Sequence, residues 1–374
     1  MGKEKTAQER CRESVPALLQ WYAYNARVLP WRDDPVPYHV WISEIMLQQT
    51  RVEAVRGYYD RFLADLPTVR AVAEAQEDRL IKLWEGLGYY SRVRNIGKAA
   101  KVICERYGGE LPADYALLRE LPGIGDYTAG AIASISFGQC VPAVDGNVLR
   151  VYARLTAYCD DIRSESYKKQ VREMLTDAME AGMRGSKTKD TTPGRFNQAV
   201  MDIGATVCIP NGKPHCDVCP LSHLCKAYAE DLTGEIPRKA EKKARPVRQR
   251  TVMVIRCNDH FLLHRRPQSG LLAGMWELPN VDGHLSAAGV KKAASAILSE
   301  AGMSGDVALS AHRLDDSRHV FSHVEWEMRG YRIDVADEHR EEFAAPKEYV
   351  WMTSAEITET VGLPQAFRAY KLQL

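Results

Sequence analysis

From about Glu9 to Tyr228, apolar residues recur at spacings of three and four with short Gly/Pro breaks, the period of helices that bury one face. The pattern predicts helices over 40–49, 52–63, 78–84, 94–106, 114–121, 127–137, 146–157, 166–181 and 196–208, with no hairpin signal between them. The front of the chain, 1–226, is therefore expected to be all-α. From Thr251 the period changes to two. Segments 251–256 and 260–265 read as paired strands, followed by a helix over 287–301, strands near 307–313, 324–335 and 348–351, and a final helix. That order predicts a separate α+β domain over 251–374. Between the two, 227–250 carries two prolines, a run of basic residues and almost no apolar periodicity, so it reads as an interdomain linker.

Composition agrees with a multidomain soluble protein. A chain of 374 residues at about 150 per domain suggests two or three domains. Its 45% apolar, 26% charged and 8% aromatic content excludes collagen-like and disordered classes. No apolar run reaches bilayer length, and the charged segment from Met1 to Arg10 has no secretory pattern. A cytoplasmic monomer with no membrane partner is expected, nucleoid-associated if bacterial. Net charge is +1, with +5 before Thr251 and −4 from there on, which permits a polyanionic partner for the front half without requiring one.

Five of the nine cysteines are scattered and read as core residues or free thiols. The other four, Cys208, Cys216, Cys219 and Cys225, follow the spacing C-x7-C-x2-C-x5-C. Four thiols that close together point to a metal or an iron–sulfur cluster. Zinc more commonly uses two separated Cys-x2-Cys knuckles. One knuckle flanked by single cysteines suits a loop wrapped around one [4Fe–4S] cluster, which is the expected cofactor. No dinucleotide fingerprint is present to supply a redox partner, so a structural or DNA-proximal role is expected.

Leu121-Pro-Gly-Ile-Gly-Asp-Tyr-Thr-Ala-Gly-Ala-Ile132 joins two predicted helices. Gly123 and Gly125 allow a tight turn, and the unpaired N–H groups of the following helix can hold a phosphate. Farther on, Val144-Asp-Gly-Asn-Val-Leu-Arg150 sets Asp145 at a helix start, where an Asp is a natural cap. Glu44 lies within Trp41-Ile-Ser-Glu-Ile-Met-Leu-Gln-Gln-Thr50, among residues that imply burial. A desolvated carboxyl has a raised pKa and can act as an acid.

Together with Leu29-Pro-Trp-Arg32, Gly86-Leu-Gly-Tyr-Tyr-Ser-Arg92 and the cysteine loop, these motifs resemble the helix-hairpin-helix DNA glycosylases, and more narrowly the MutY-type adenine DNA glycosylases. The resemblance runs over nearly the whole chain in family order. One departure is the seven residues between Cys208 and Cys216, where that family usually has six. The resemblance implies excision of adenine opposite 8-oxoguanine or guanine in double-stranded DNA, by a helical domain with hairpin 121–132 and cluster loop 208–225, plus a Nudix/MutT-like recognition domain. It implies catalytic roles for Glu44 as acid, for Asp145 beside the sugar cation, and for Tyr127 and Asn147. Trp31, Arg32, Leu47, Gln48 and Gln198 would line the adenine pocket. Gln49, Thr50, Gly86, Leu87, Tyr89, Gly123 and Gly125 would meet DNA, with Gln49 and Tyr89 as wedges. Phe321, Ser322 and His323 would read 8-oxoguanine.

Tyr127 stands where the related bifunctional enzymes have a lysine that forms a Schiff base, so base removal without efficient strand cleavage is expected. Three rivals are kept in view. A bifunctional oxidised-pyrimidine glycosylase of the endonuclease III type is opposed by Glu44 and Tyr127. A catalytically idle mismatch-binding protein is opposed by the two carboxyls. A Nudix hydrolase is opposed by residues 287–302, which follow Leu271-Leu-Ala-Gly-Met-Trp-Glu-Leu-Pro279 without the Arg-Glu-x-x-Glu-Glu pattern that binds magnesium.

Overall fold

The computed structural model describes residues 4–184, 192–238, 244–303, 307–336, 346–371 and 373–374. The chain divides into two compact units, Met1–Glu74 with Asn95–Glu241, and Ala75–Arg94 with Lys242–Leu374. The helices up to the cysteine loop are α1 (Ala7–Asn25), α2 (Pro30–Asp33), α3 (Pro37–Leu47), α4 (Val52–Asp65), α5 (Val69–Glu74), α6 (Glu77–Leu83), α7 (Ser91–Tyr107), α8 (Tyr115–Arg119), α9 (Asp126–Phe137), α10 (Gly146–Thr156), α11 (Glu165–Met183) and α12 (Pro193–Thr206), and a short α13 (Lys226–Ala229) follows the loop. All nine helices expected from the apolar period are present, with ends shifted by a few residues. Among the described residues no helix is long and apolar enough to cross a membrane.

Local chemistry sets the ends. Thr6 and Glu9 form a reciprocal capping box on α1, Ser164 caps α11 through the Tyr167 N–H, and Thr192 caps α12 through the Arg195 N–H with Pro193 in the first turn. Gly138 closes α9 in the left-handed conformation. In the core of this unit α1 packs on α11 and α12, and α10 packs on α12. The stripe Cys11, Val15, Leu18, Leu19 and Tyr22 of α1 meets Val151, Tyr152, Leu175 and Ile203 there.

The segment expected as a linker divides. Residues 227–238 belong to the helical unit: Ala227 and Ile236 are buried in its core, Leu232 packs against it, and Arg154 Nε donates to the Ile236 carbonyl at 2.7 Å. Two apolar side chains four residues apart, among charged neighbours, are enough to anchor the strand of chain yet too few to show a period. Residues 239–243 lie outside the described residues. At the other end, the first strand begins at Val247, earlier than expected, because its opening residues are exposed and so do not alternate.

Among the described residues the second unit is built on eight strands: β1 (Val247–Cys257), β2 (His260–Arg265), β3 (Trp276–Glu277), β4 (Asn280–Asp282), β5 (Leu309–Arg313), β6 (Ser317–Val320), β7 (Glu325–Val335) and β8 (Tyr349–Thr353), with α14 (Ala287–Glu300), α15 (Ser354–Thr360) and α16 (Arg368–Lys371). The sheet order is β3-β2-β1-β7-β5, with β4 on β1, β6 on β7 and β8 on β2. β1 meets β2 antiparallel only near their turn, at Arg256↔Phe261 and Cys257↔His260. Its long partner is β7, parallel from Val247↔Glu325 to Cys257↔Val335. Both faces of the sheet are covered. Val252 and Val254 pack toward Ile357, Phe367 and Tyr370, while Met253, Ile255 and Cys257 pack toward Val290, Ala294 and Leu298 of α14.

Candidate active site

Glu44 reaches its place on α3, a helix whose residues from Val40 to Met46 are all buried. α9 packs on α3 and carries Tyr127 as its second residue. The hairpin between α8 and α9 sets that start: Asp114 caps α8, Gly125 is the N-cap of α9, and Gly123 turns at φ +76° where a Cβ would fall 2.6 Å from Asn95 Cβ. The Tyr127 phenol donates to Glu44 Oε2 at 2.6 Å and lies 3.8 Å from Met201 Sδ. Glu44 is 5% exposed, and burial pushes its carboxyl up to about 7, the Tyr127 hydrogen bond opposing and the Asp145 charge adding to the rise. Tyr127 itself is held well above the ordinary phenol range by burial and the Glu44 charge, so it stays a donor.

Asp145 is the N-cap of α10. Its Oδ1 accepts from the Asn147 and Val148 N–H groups at 2.9 and 2.8 Å, and its Oδ2 from Asn147 Nδ2 at 3.0 Å. The cap and the candidate catalytic group are thus one arrangement. Burial raises Asp145 above the usual carboxylate range, and the two backbone N–H groups resist the rise by favouring the charged form. Asn147 is fixed in turn, its Oδ1 accepting from Arg150 Nη2 at 2.9 Å, and Arg150 also donates to the carbonyls of Gly204 at 2.6 Å and Cys208 at 2.9 Å. Gly204 permits that approach of α12, since a Cβ there would lie 2.7 Å from Asn147 Cβ.

Glu44, Tyr127, Asp145 and Asn147 line one cavity of about 770 Å3, mouth included, together with Trp31, Arg32, Leu47, Thr50 and Gln198. Gln48 does not line it. Its amide turns away and donates to Thr128 Oγ1 at 3.3 Å. Gln198 Oε1 accepts from the Tyr22 phenol at 2.8 Å, and Trp31 stacks edge-on to Tyr59 at 5.5 Å. Arg32 is gripped by Asp202, with Nη1 and Nη2 each 2.8 Å from a carboxylate oxygen, and Arg27 Nε binds the same carboxylate at 2.7 Å. Asp202 is fully buried, and these guanidiniums hold its pKa below the usual range despite that burial. Sequence reasoning missed Asp202, Arg27 and Met201. The available signal was a lone Asp among Ala199, Val200 and Ile203 in the buried stripe of α12.

The two residues expected as DNA wedges share an uncommon backbone. Gln49 and Tyr89 have φ of +58° and +49°, a region that residues with a Cβ rarely enter and that clusters at functional sites. Gln49 belongs to the helical unit and Tyr89 to the second one. Leu87, expected at the DNA, is buried, and its carbonyl is taken by Arg92. Gly86 turns at φ +103°. In the second unit Ser322 and His323 form the tip of the β6–β7 hairpin, closed by the Phe321 N–H to the Val324 carbonyl at 2.9 Å. Phe321 is seated edge-on to Trp326 at 5.0 Å and His319 at 4.5 Å, leaving Ser322 and His323 exposed.

Cys208, Cys216, Cys219 and Cys225 line one hollow of about 430 Å3, its open mouth included. Among the described residues no three His, Cys, Asp or Glu side chains form a group that would hold a single ion. A cubane spreads its four thiolates over a tetrahedron wider than any one ion's, so thiols around a cavity fit a cluster better than zinc. Arg154 Nη1 donates to Cys208 Sγ at 3.3 Å, which fixes the first of the four sulfurs in place.

Residues 42–177 match the HhH-GPD superfamily of base excision DNA repair proteins, and 251–373 match the NUDIX domain. The chain is 32% identical to the adenine DNA glycosylase of Mus musculus over 95% of its own length and 77% of the relative's, and 33% identical to that of Homo sapiens over 96% and 74%. A solved thermostable thymine-DNA glycosylase, 27% identical, superposes with a TM-score of 0.51 over 60% of this chain and all of that one. With a helix-hairpin-helix repair region and a Nudix region in one chain, and that identity along nearly its whole length, the protein belongs to the adenine DNA glycosylases, DNA repair hydrolases acting on N-glycosyl bonds.

Proposed function

We propose that this glycosylase removes adenine paired with 8-oxoguanine, and with guanine, by hydrolysis and without cutting the strand. The observation that carries the reading is the 2.6 Å bond from Tyr127 to Glu44 in the cavity that also holds Asp145. Adenine leaves poorly as an anion, so its loss needs a proton on the base and a counter-charge for an oxocarbenium-like sugar. Two carboxyls in different environments meet both needs. Glu44, raised to about 7, carries a proton for adenine N7 near neutral pH and then takes one from the attacking water. Asp145, held by N–H donors, faces the sugar as a carboxylate, and Asn147 keeps its second oxygen aimed. Adenine reaches them only once out of the stack. In the cavity, Gln198, its carbonyl occupied by Tyr22, offers its amide to the base edge. Trp31, Arg32 and Leu47 would flank the ring.

Among the described residues lining the cavity there is no lysine, and a phenol cannot form an imine, which favours base removal alone over lyase chemistry. In the second unit, the exposed Ser322 and His323 supply hydrogen-bonding groups for the altered edge of 8-oxoguanine. α14 carries two lysines and no run of acids where a Nudix hydrolase needs metal ligands, which weighs against pyrophosphate cleavage. We assign one [4Fe–4S] cluster to Cys208, Cys216, Cys219 and Cys225. When bound it would cross-link the loop and compensate its thiolate charge. Arg150 ties the carbonyl of the first of these cysteines to Asn147, so the loop's order bears on the site. A chain whose cysteines serve as core residues and cluster ligands suits a reducing cytoplasm.

The test is a single-turnover incubation with an end-labelled duplex carrying one A opposite 8-oxoguanine, read on denaturing gels with and without hot alkali. A nick in the adenine strand only after alkali is expected. A nick without alkali contradicts monofunctional excision, and no nick in either lane contradicts the substrate.

A further inference from the structure

Tyr89 stands 46% exposed at φ +49°, a backbone conformation that its neighbours must hold in place. From one side the Trp84 indole donates to the Gly88 carbonyl at 3.1 Å, and Arg92 Nη2 donates to the carbonyls of Leu87 and Gly88, each at 3.1 Å. The Arg92 guanidinium also lies 5.7 Å from the centre of the Tyr89 ring. The other end of the loop is fastened at Glu85, which directly precedes Gly86. Glu85 accepts from Lys82 at 2.6 Å and from Lys371, 286 residues away in α16, at 2.7 Å.

That ion cluster belongs to a wider seam within the second unit. Lys82 Nζ also donates to the Val361 carbonyl at 3.0 Å, and Arg265 Nη2 pairs with Asp78 at 3.1 Å. Gly362 abuts α6 so closely that a Cβ would lie 2.9 Å from Ile81 Cγ2 and 3.0 Å from the Ile81 carbonyl oxygen. The side chains of Lys82 and Glu85 are only 16% and 18% exposed, so salt screens them less than a surface pair. The segment that carries Tyr89 is thus built into the unit that carries the Ser322–His323 tip, although 75–94 is separated from 242–374 in sequence.

We propose that Lys371 is a positioning residue for Tyr89. Through Glu85 it fixes the Gly86–Tyr89 loop in one body with the Ser322–His323 tip, so that insertion of Tyr89 and reading of the base opposite adenine occur as a single event. This rests on the reading of 8-oxoguanine proposed above. A positioning role of this kind alters discrimination between opposite bases, whereas loss of folded protein lowers excision from every duplex alike.

The experiment uses the full chain with its cluster and measures, in one preparation, the ratio of single-turnover excision rates for A opposite 8-oxoguanine and A opposite G. That ratio does not depend on the active fraction. Lys371→Met and Glu85→Gln are expected to lower it about fivefold, equivalent to about 1 kcal/mol. Lys371→Arg is expected to retain it, and the double variant Lys371→Met/Glu85→Gln to fall no lower than Glu85→Gln alone. An unchanged ratio in Lys371→Met, or losses that add fully in the double variant, overturns the inference. If Ser322→Ala loses the preference and Lys371→Met keeps it, this inference alone fails. If the unaltered protein shows no preference for 8-oxoguanine, the reading beneath it fails as well.

Discussion

The Tyr127 phenol donates a 2.6 Å hydrogen bond to the buried carboxyl of Glu44. This bond pulls the Glu44 pKa down while burial and Asp145 push it up to about 7, so the acid is poised near neutrality by opposing effects. At subsaturating duplex concentrations, excision is therefore expected to fall as pH rises through about 7, where Glu44 loses its proton. Tyr127→Phe removes the contribution that lowers the pKa, so the alkaline limb moves to higher pH. A pH–rate profile of the two proteins checks the direction, and a limb that moves down or stays fixed contradicts it.

The same burial makes Glu44 a pH-dependent element of stability. Its folded pKa lies above the unfolded value of 4.5, so its contribution is fully present below about 4.5 and is lost as pH rises through about 7. Glu44→Gln removes that loss. Denaturant melts are expected to show the variant gaining on the unaltered protein between pH 5 and pH 8, by about 2–3 kcal/mol at most. An equal difference at both pH values would mean that Glu44 is not buried as a titrating acid.

Asp145 caps α10 and, in the proposed mechanism, supplies the negative charge beside the sugar, two parts that substitution can separate. Asparagine still caps α10, so Asp145→Asn is expected to fold normally while excision falls about 100- to 1000-fold through loss of the negative charge at the sugar. Asp145→Ala also loses the cap, at about 1 kcal/mol. Single-turnover rates beside thermal melts distinguish them. A fully active Asp145→Asn protein would remove Asp145 from the chemistry.

Asp202 grips Arg27 and Arg32 from a fully buried position. Asp202→Ala leaves both guanidiniums without their anion and is expected to destabilise the helical unit by about 3 kcal/mol. Arg32 also loses its place in the cavity wall, so duplex concentrations that saturate the unaltered protein no longer saturate the variant. Equilibrium unfolding and the concentration dependence of excision measure the two effects.

The contrast between Glu44 and Asp202 shows what kind of site residue is legible in a sequence. Glu44 sits in a motif whose neighbours announce burial, and its partners Asp145 and Tyr127 lie in motifs of their own. Asp202 acts through Arg27 and Arg32, about 170 residues earlier, and nothing in its own helix names those partners. The same holds for Lys371 and Glu85. For the fold, the change of period at Thr251 was enough to separate a helical region from an α+β one. It could not reveal that 75–94 folds with the second unit, because an amphipathic helix such as α6 shows which face it buries and not against what. Nor could it show that Ile236 enters the helical core, since Leu232 and Ile236 alone in a charged segment are too few to show a period. Leu87 and Gln48 were placed by motif order alone. Leu87 faces the core, and Gln48 turns to Thr128 once the helix ends at Leu47 and the chain turns at Gln49.

The proposed excision rests on delivery of a proton from Glu44 to N7 of adenine. The most direct measurement replaces adenine, opposite 8-oxoguanine, with 7-deazaadenine, which has carbon at that position and no lone pair to accept the proton, and compares single-turnover excision and duplex binding with the natural base. Binding close to that of adenine with no measurable excision is the expected result; excision of 7-deazaadenine within about tenfold of the adenine rate would contradict proton transfer from Glu44 to N7, since general acid catalysis contributes about 100- to 10,000-fold.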